Sequence, residues 1–140
     1  EAEARAAGRL ISFAQGSPID EALLADEVTL LLGPVIRSEA TADRLADPQA
    51  WTIDEPDGFA EFTGPFNPLS SLDGERLRIT AGPTDHCAGP PRDWPAELDG
   101  LRQVNIEPIG IDSCIAWFGV HLFLDDDDRI AAVAYDLFGP

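Results

Sequence analysis

The sequence predicts an α+β fold in which N-terminal helices pack on a curved, mostly antiparallel sheet that ends in a C-terminal β-hairpin. Helical periodicity and helix-capping residues fill the start of the 140-residue chain. Short segments in which apolar and polar residues alternate, as in half-buried strands, follow in the second half. The length suits one hydrophobic core, so residues 1–140 are predicted to form a single domain.

The first two elements are predicted to be helices. Apolar residues recur at helical spacing over residues 4–14, and Gly16 follows as a stop signal. The segment SPIDEALLADE, residues 17–27, predicts a second helix, because Ser17 suits the N-cap and Pro18 suits the first helical position.

A strand and a short third helix are predicted next. The apolar run EVTLLL, residues 27–32, predicts a strand that the pair Gly33-Pro34 bends. The segment SEATADRLAD, residues 38–47, predicts a short helix. We expect this helix to end at residue 47, because a residue that precedes a proline, here Pro48, disfavours helical geometry.

The remaining strands are predicted from the second half of the chain. Residues 59–63 predict one short strand, and residues 82–95, rich in proline and glycine, predict a loop. The segments ERLRITAG, residues 75–82, and LRQVNIEPIG, residues 101–110, alternate as half-buried strands do. Residues 114–140 predict two long strands joined by an acidic turn.

The register of this final hairpin decides which side chains share a face. Pairing Leu124 with Ala131 across the acidic stretch 125–128 places His121 opposite Ala134. A shift by one residue would move every side chain to the other face of the sheet.

His121 is the main candidate for chemistry in this hairpin. It lies on a largely apolar strand face, with Asp136 as its diagonal neighbour at about 7–8 Å between backbones. A carboxylate that orients a histidine ring suits general-base catalysis, so His121 and Asp136 are the candidate catalytic pair. The alternative is a packed histidine that Asp136 or water satisfies. The candidate ligand-binding residues are Trp117, Gly119, Phe123 and Tyr135.

Two segments resemble a known superfamily. RAAGRLISFAQGSPIDEALLADEVTLLLG, residues 5–33, and VHLFLDDDDRIAAVAYDLFGP, residues 120–140, resemble the front and the closing hairpin of nuclear-transport-factor-2-like proteins. That superfamily includes ketosteroid isomerases and polyketide-cyclase-like proteins. The resemblance implies a cone-like fold that encloses one apolar pocket, and the segment HCAGPPRDWP, residues 86–95, departs from it. No catalytic set carries over, since ketosteroid isomerases would show a tyrosine among their oxyanion donors and the only tyrosine here is Tyr135.

The net charge of the chain limits the kinds of molecule that it is expected to bind. The formal net charge is −17, with nine arginines and no lysine. Such a charge repels nucleic acid and anionic membranes and attracts basic proteins or cationic ligands. The amino-acid usage of a GC-rich or salt-adapted genome would explain the same composition. No apolar run approaches the ~20 residues that a membrane helix needs. We therefore expect no nucleic-acid or membrane partner, while a basic protein partner stays open.

The two cysteines, Cys87 and Cys114, bear on the cellular compartment. They fit a disulfide, two free thiols or half of a metal site, and the disulfide is the prediction. The chain contains no methionine, which predicts that residue 1 is not a translation start. The opening EAEA, residues 1–4, fits either a processing remnant or a helix start. Secretion or another extracytoplasmic location is therefore expected, with the cytoplasm as the alternative.

No metal or cofactor is predicted. The stretch 125–128 lacks the alternation and the glycine of a calcium loop, and His86-Cys87 lacks the ligand spacing of zinc sites.

The first prediction of function is the binding of an apolar small molecule in a pocket on the curved sheet. The alternatives are an isomerase-, dehydratase- or cyclase-type enzyme that uses His121 with Asp136, and an acidic inhibitor- or immunity-like module. A homodimer is compatible with each of these.

Overall fold

The computed structural model describes residues 1–53, 67–73, 76–83, 93–109 and 117–138. Within these ranges the helices are α1 (Ala2–Ala14) and α2 (Pro68–Leu72), with short 3-10 turns at Glu21–Leu23, Arg44–Ala46, Pro48–Trp51 and Ala96–Leu98. The strands are β1 (Leu24–Leu32), β2 (Val35–Thr41), β3 (Leu77–Ala81), β4 (Arg102–Pro108), β5 (Trp117–Leu124) and β6 (Ile130–Phe138).

One open six-stranded sheet organises the described chain, in the order β2-β1-β6-β5-β4-β3. Every neighbouring pair is antiparallel except β1 and β6, which run parallel. The α+β class, the mostly antiparallel sheet and the C-terminal hairpin of β5 and β6 are thereby confirmed. The parallel pair makes the sheet mixed and brings the first strand against the last.

The predicted first helix is confirmed and the second is wrong. The stripe Ala6, Ala7, Leu10 and Phe13 of α1 is buried. The segment that follows forms only the 3-10 turn Glu21–Leu23, whose cap is Asp20: its Oδ1 accepts a hydrogen bond from Ala22 N at 3.0 Å. The strand then starts at Leu24, earlier than predicted, because pairing with β2 and β6 satisfies the backbone better than one isolated helix would.

The predicted third helix is also wrong. After the turn at Gly33, whose φ is 54°, β2 runs back along β1 and pairs Ala40 with Val28. The rest of that segment forms the 3-10 turn Arg44–Ala46, and Pro48 starts another. The strand pairing overrides the helical spacing of the apolar residues, because local propensity is a weak prior.

The predicted strands that became β3 and β4 are confirmed, and the register of the hairpin is confirmed in part. His121 pairs with Ala134 as expected. Leu124 pairs with Ile130 and not with Ala131, because the register shifts by one residue at this point. This bulge turns Ile130 toward the main core. Pairing Leu124 with Ala131 would instead have placed Ile130 on the same face of the sheet as His121. The predicted strand at 59–63 and most of the predicted loop at 82–95 lie outside the described residues.

The main core lies between one face of the sheet and the helices, with Trp51 as its largest fully buried side chain. Its Nε1 donates a hydrogen bond to the carbonyl of Leu45 at 2.9 Å, and its ring centroid lies 6.0 Å from that of Phe13. The sheet contributes buried side chains of β5 and β6 to this core: Val120, Leu122, Leu124, Ile130, Val133 and Tyr135.

The acidic turn of the hairpin is held by its own side chains and by Arg102. Asp125 Oδ1 accepts from Asp127 N at 2.9 Å and from Arg129 N at 3.0 Å. Arg102 contacts Asp128, the carbonyl of Asp125 and, at 3.1 Å, Glu3 of α1. The hydrogen bond to Asp128 raises the pKa of the Arg102 guanidinium above its usual value.

Asp128 has a φ of 62°, the only non-glycine residue with a positive φ in the described ranges, and this makes a testable prediction. We expect Asp128→Asn to keep the left-handed backbone and to lose only the contact with Arg102, so its effect should shrink in high salt. Asp128→Ala should cost about 1 kcal/mol more, because alanine disfavours this conformation. Thermal unfolding at low and high salt measures both. Asp126→Ala in the same turn is the control, and an equal loss there would contradict the prediction.

Candidate functional site

Every buried polar or charged side chain of the described residues lies on the same face of the sheet. These four are Asn105 (0% exposed), His121 (2%), Asp136 (5%) and Glu107 (6%). Asn105 pairs directly with His121, and alternation along β4 and β6 places Glu107 and Asp136 on the same side. We call this surface the His121 face. It points away from the helices of the main core.

The surroundings of these polar groups are apolar. A second hydrophobic cluster occupies the His121 face and is made of Leu31, Leu98, Phe123, Ala132 and Ala134, with Ile36, Trp94 and Leu101 against it. The indole of Trp94 packs edge-on against the rings of His121 and Phe123. The distances between ring centroids are 5.1 Å to His121 and 5.2 Å to Phe123. Such contacts hold the imidazole between an aromatic neighbour and the sheet.

A chain of hydrogen bonds leads from the loop before β4 to the histidine. Trp94 Nε1 donates to Gln103 Oε1 at 3.1 Å, and Gln103 Nε2 donates to Asn105 Oδ1 at 2.7 Å. Asn105 Nδ2 in turn donates to the carbonyl of Gly82 at 2.8 Å. His121 Nδ1 lies 2.8 Å from the same Asn105 Oδ1. The ring is therefore oriented through Nδ1 by Asn105, a role that the sequence had suggested for Asp136.

Two carboxylates flank Gly119, a position of this face that has no side chain. Gly119 pairs with Asp136, and continuing the pairing of Ile106 with Val120 by one residue places Gly119 opposite Glu107. Glu107 Oε1 also lies 3.7 Å from Arg78 Nη2, a guanidinium that is more than half exposed. Gly119 adds no side chain between these two carboxylates, and it is itself buried.

The structure brings together most of the predicted site. His121, Asp136, Gly119 and Phe123 share the His121 face, with Asp136 diagonal to the histidine as expected. Tyr135 lies on the opposite face, within the main core, and its hydroxyl accepts a hydrogen bond from Ser71 Oγ at 3.0 Å. It is therefore not a neighbour of His121 on the sheet. Trp117 pairs with Phe138 at the end of the hairpin, and its side chain lies outside the described part of the chain.

Sequence reasoning missed Asn105 and Glu107. A signal was present, because both are polar residues that alternate with the buried Val104 and Ile106 in one strand. What the sequence did not contain was the neighbour of that strand. The pairing of Asn105 with His121 becomes visible only when β4 lies beside β5.

An open cavity of about 500 Å³ adjoins the His121 face. Trp94, Gln103 and Phe123 line it on the side of the sheet, so two residues of the hydrogen-bond chain border it together with a member of the apolar cluster. Its other walls carry Leu98, Arg102 and the carboxylates Glu3, Asp93 and Asp99. Cavities of this size accommodate small organic molecules.

In the described ranges no three His, Cys, Asp or Glu side chains gather closely enough to hold a metal ion. Those same ranges contain no helix with the length and apolar character needed to cross a bilayer. Cys87, Cys114 and His86 lie outside the described residues, so the disulfide stays a prediction.

Comparison with known proteins adds no assignment. No family model, no curated protein and no solved structure matches the chain. The resemblance to nuclear-transport-factor-2-like proteins therefore stays a prediction, and function must be argued from the His121 face itself.

Proposed function

We propose that the protein binds a small, largely apolar molecule on the His121 face, where the buried polar side chains hold its polar group. The observation that carries the proposal is the convergence of Asn105, Glu107, His121 and Asp136 on one face, inside an apolar cluster. Few convergent polar groups in apolar surroundings are the usual form of a small-molecule site. The apolar pocket implied by the nuclear-transport-factor-2-like resemblance agrees with this proposal.

The energetics of burial favour a functional reading of this face. Polar and ionisable side chains cost free energy when they leave water, and a well-packed apolar replacement is often equally stable. The same face carries alanines and a phenylalanine, so the sheet is able to accept apolar residues there. Two carboxylates and a histidine retained at this depth are therefore better explained by binding than by packing.

A second candidate function is catalysis of the isomerase, dehydratase or cyclase type. The specific observation in its favour is the contact between His121 Nδ1 and Asn105 Oδ1 at 2.8 Å, which fixes the ring as a general base requires. Asp136 would then be the charged neighbour that stabilises the protonated ring. In this case His121→Ala would abolish turnover of the bound molecule and leave its binding site folded.

The test of binding is a native mass spectrum of the protein purified from its own host, compared with the spectrum after denaturation. A retained small molecule that is released on unfolding is the expected result, and its mass identifies the chemical class. A protein that is empty in every preparation contradicts the proposal. Such a result would favour the alternative that the protein is an acidic inhibitor- or immunity-like module. The affinity of such a module for a basic partner should fall steeply as the salt concentration rises.

Substitution locates the molecule on the His121 face. Asp136→Asn keeps the size of the side chain and removes a buried carboxylate, so we expect it to reduce the retained fraction at least tenfold if one charged hydrogen bond is lost. Asp126→Asn is the matched control, because it removes the same charge from the exposed turn. The occupied fraction in native mass spectra measures both variants. Equal losses from the two would place the molecule elsewhere.

We also infer that Cys87 and Cys114 form a disulfide and that the protein is exported. The denatured protein should then weigh two hydrogens less than its reduced form. Reduction should lower the free energy of unfolding by roughly 3 kcal/mol, because it opens the loop that a bond between Cys87 and Cys114 closes. Intact mass with and without reductant, together with urea unfolding under both conditions, measures this. Two alkylatable thiols in freshly purified protein would refute the bridge.

A further inference from the structure

We infer that the protein has a second binding site, on the side of the helices, and that this site takes a small organic anion: a carboxylate with a short apolar body. A cavity of about 260 Å³ is lined by α1 and by the segment that leads into β1. Arg5 and Arg9 of α1 border it, together with Ile19, Asp20 and Leu23. The cavity shares no residue with the His121 face, so this inference goes beyond the proposed function and does not depend on it.

The two arginines of this cavity are available to a ligand. Arg5 and Arg9 are both exposed and lie one helical turn apart, a spacing that makes their side chains neighbours on the surface of α1. Within the part of the chain that the structure describes, neither arginine forms an ion pair, although the chain has 26 acidic residues. Like charges at this spacing repel each other. An anion held by both guanidinium groups would remove this repulsion.

The apolar part of the cavity defines the body of the ligand. Ile19 belongs to the main core, and Leu23 packs against that core. A guanidinium group binds a carboxylate through two parallel hydrogen bonds, which leaves the rest of such a ligand to lie on the apolar residues. A volume of about 260 Å³ is small for a ligand pocket, so it suits a single ring or a short alkyl chain.

Asp20 limits the charge of the ligand. Its Oδ1 accepts a hydrogen bond from Ala22 N at 3.0 Å, so one of its oxygens is already used in the fold. Two arginines against one carboxylate leave the lining with one net positive charge, whereas the whole chain carries −17. A monoanion balances this local charge. The net charge of the chain opposes its approach, so the attraction must come from short-range contacts with the arginines.

Four small probes test the ligand class: benzoate, its neutral analogue benzamide, the cation benzylammonium, and acetate, which lacks the ring. The side-chain ¹⁵N–¹H signals of Arg5 and Arg9, assigned by their loss in Arg5→Gln and Arg9→Gln, report binding at millimolar concentrations. We expect benzoate to bind with a dissociation constant about fivefold or more below that of benzamide, the effect of charged hydrogen bonds at an exposed site. Acetate should bind more weakly than benzoate, because it buries less apolar surface.

The other outcomes overturn the inference. No shift of the arginine signals by benzoate means that the cavity is not a site. Equal binding of benzoate and benzamide, or tighter binding of benzylammonium, means that the arginines do not select an anion. Equal binding of acetate and benzoate means that the apolar residues do not contact the ligand.

Variants of the same cavity should change the affinity for benzoate in opposite directions. Arg5→Gln and Arg9→Gln should each weaken binding about fivefold and keep the fold, because glutamine is also a good helix former. Asp20→Asn keeps an acceptor for the cap and removes the opposing charge, so it should tighten binding about twofold. Arg44→Gln, which removes the same charge from an exposed 3-10 turn, is the matched control and should leave the affinity unchanged. An equal loss in Arg44→Gln, or weaker binding in Asp20→Asn, would overturn the assignment of the site to these residues.

Discussion

Replacing Trp51 by alanine is expected to lower the free energy of unfolding by about 3–5 kcal/mol, the usual cost of removing a large buried aromatic side chain. Trp51 is the largest fully buried side chain among the described residues, and two different elements contact it. Phe13 of α1 contacts its ring, and the carbonyl of Leu45, in a 3-10 turn, accepts its N–H at 2.9 Å. No neighbouring side chain can fill the space of an indole, so the cavity term adds to the lost burial.

Trp51→Phe separates the two contributions. It keeps an aromatic ring beside Phe13 and removes the N–H, which leaves the buried carbonyl of Leu45 without its donor. We expect a loss of about 1–3 kcal/mol for this variant. Urea unfolding, followed by the circular dichroism of the backbone, measures both variants, and an unchanged m-value shows that the folded state is the same. A loss below about 1 kcal/mol for alanine would show that Trp51 is not at the centre of the core.

The N-terminal third shows where sequence reasoning fails and why. Helical spacing over residues 4–14 predicted α1, because that stripe repeats over several turns. In the following segment Ser17 and Pro18 match a helix start equally well, yet Leu24 is already in β1. Its apolar residues fit a helix stripe and a strand face alike. Pairing with β2 and β6, which join distant parts of the chain, decides between them.

The hairpin shows the reverse. Pairing Leu124 with Ala131 across the acidic turn placed His121 opposite Ala134, and the structure has this pair. The bulge beside Leu124 was not predictable, since Ile130 and Ala131 are both apolar and either can pair there. Half of the candidate site was therefore accessible from the sequence.

The other half of the site depends on the neighbour of the hairpin. Asn105 and Glu107 are two polar residues of a strand that no local pattern assigns to β5. The buried polar side chains of the His121 face come from three separate strands, and a single sequence contains no direct signal for the order of these strands. The histidine could be identified as a candidate, but the residue that orients it could not.

Replacing Asn105 by alanine is expected to cost about 2–4 kcal/mol, because several polar groups lose their partner at once. Asn105 is fully buried and links five groups: the His121 ring, Gln103 Nε2, the carbonyl of Gly82, and both the carbonyl and the hydroxyl of Thr80. The partly buried members, Gln103 and Gly82, are able to recover water, which keeps the loss below the sum of the single hydrogen bonds. Urea unfolding at neutral pH measures the difference.

Thr80→Val is the matched control for this substitution. It removes one hydroxyl from the same network, keeps the side-chain shape and leaves Asn105 bound to Gly82 at 2.8 Å. Its cost should stay under about 1 kcal/mol. A cost equal to that of Asn105→Ala would mean that the stability comes from β3 and not from the amide.

A double-mutant cycle of Asn105→Ala and His121→Ala tests whether the amide and the imidazole stabilise the protein together. The two side chains are in direct contact at 2.8 Å, so the double variant should be more stable than additivity predicts by about 1 kcal/mol or more. Additive losses would show that the amide and the imidazole act independently. In that case the network would stabilise the sheet without orienting the ring, and binding on the His121 face would have to proceed without a fixed histidine.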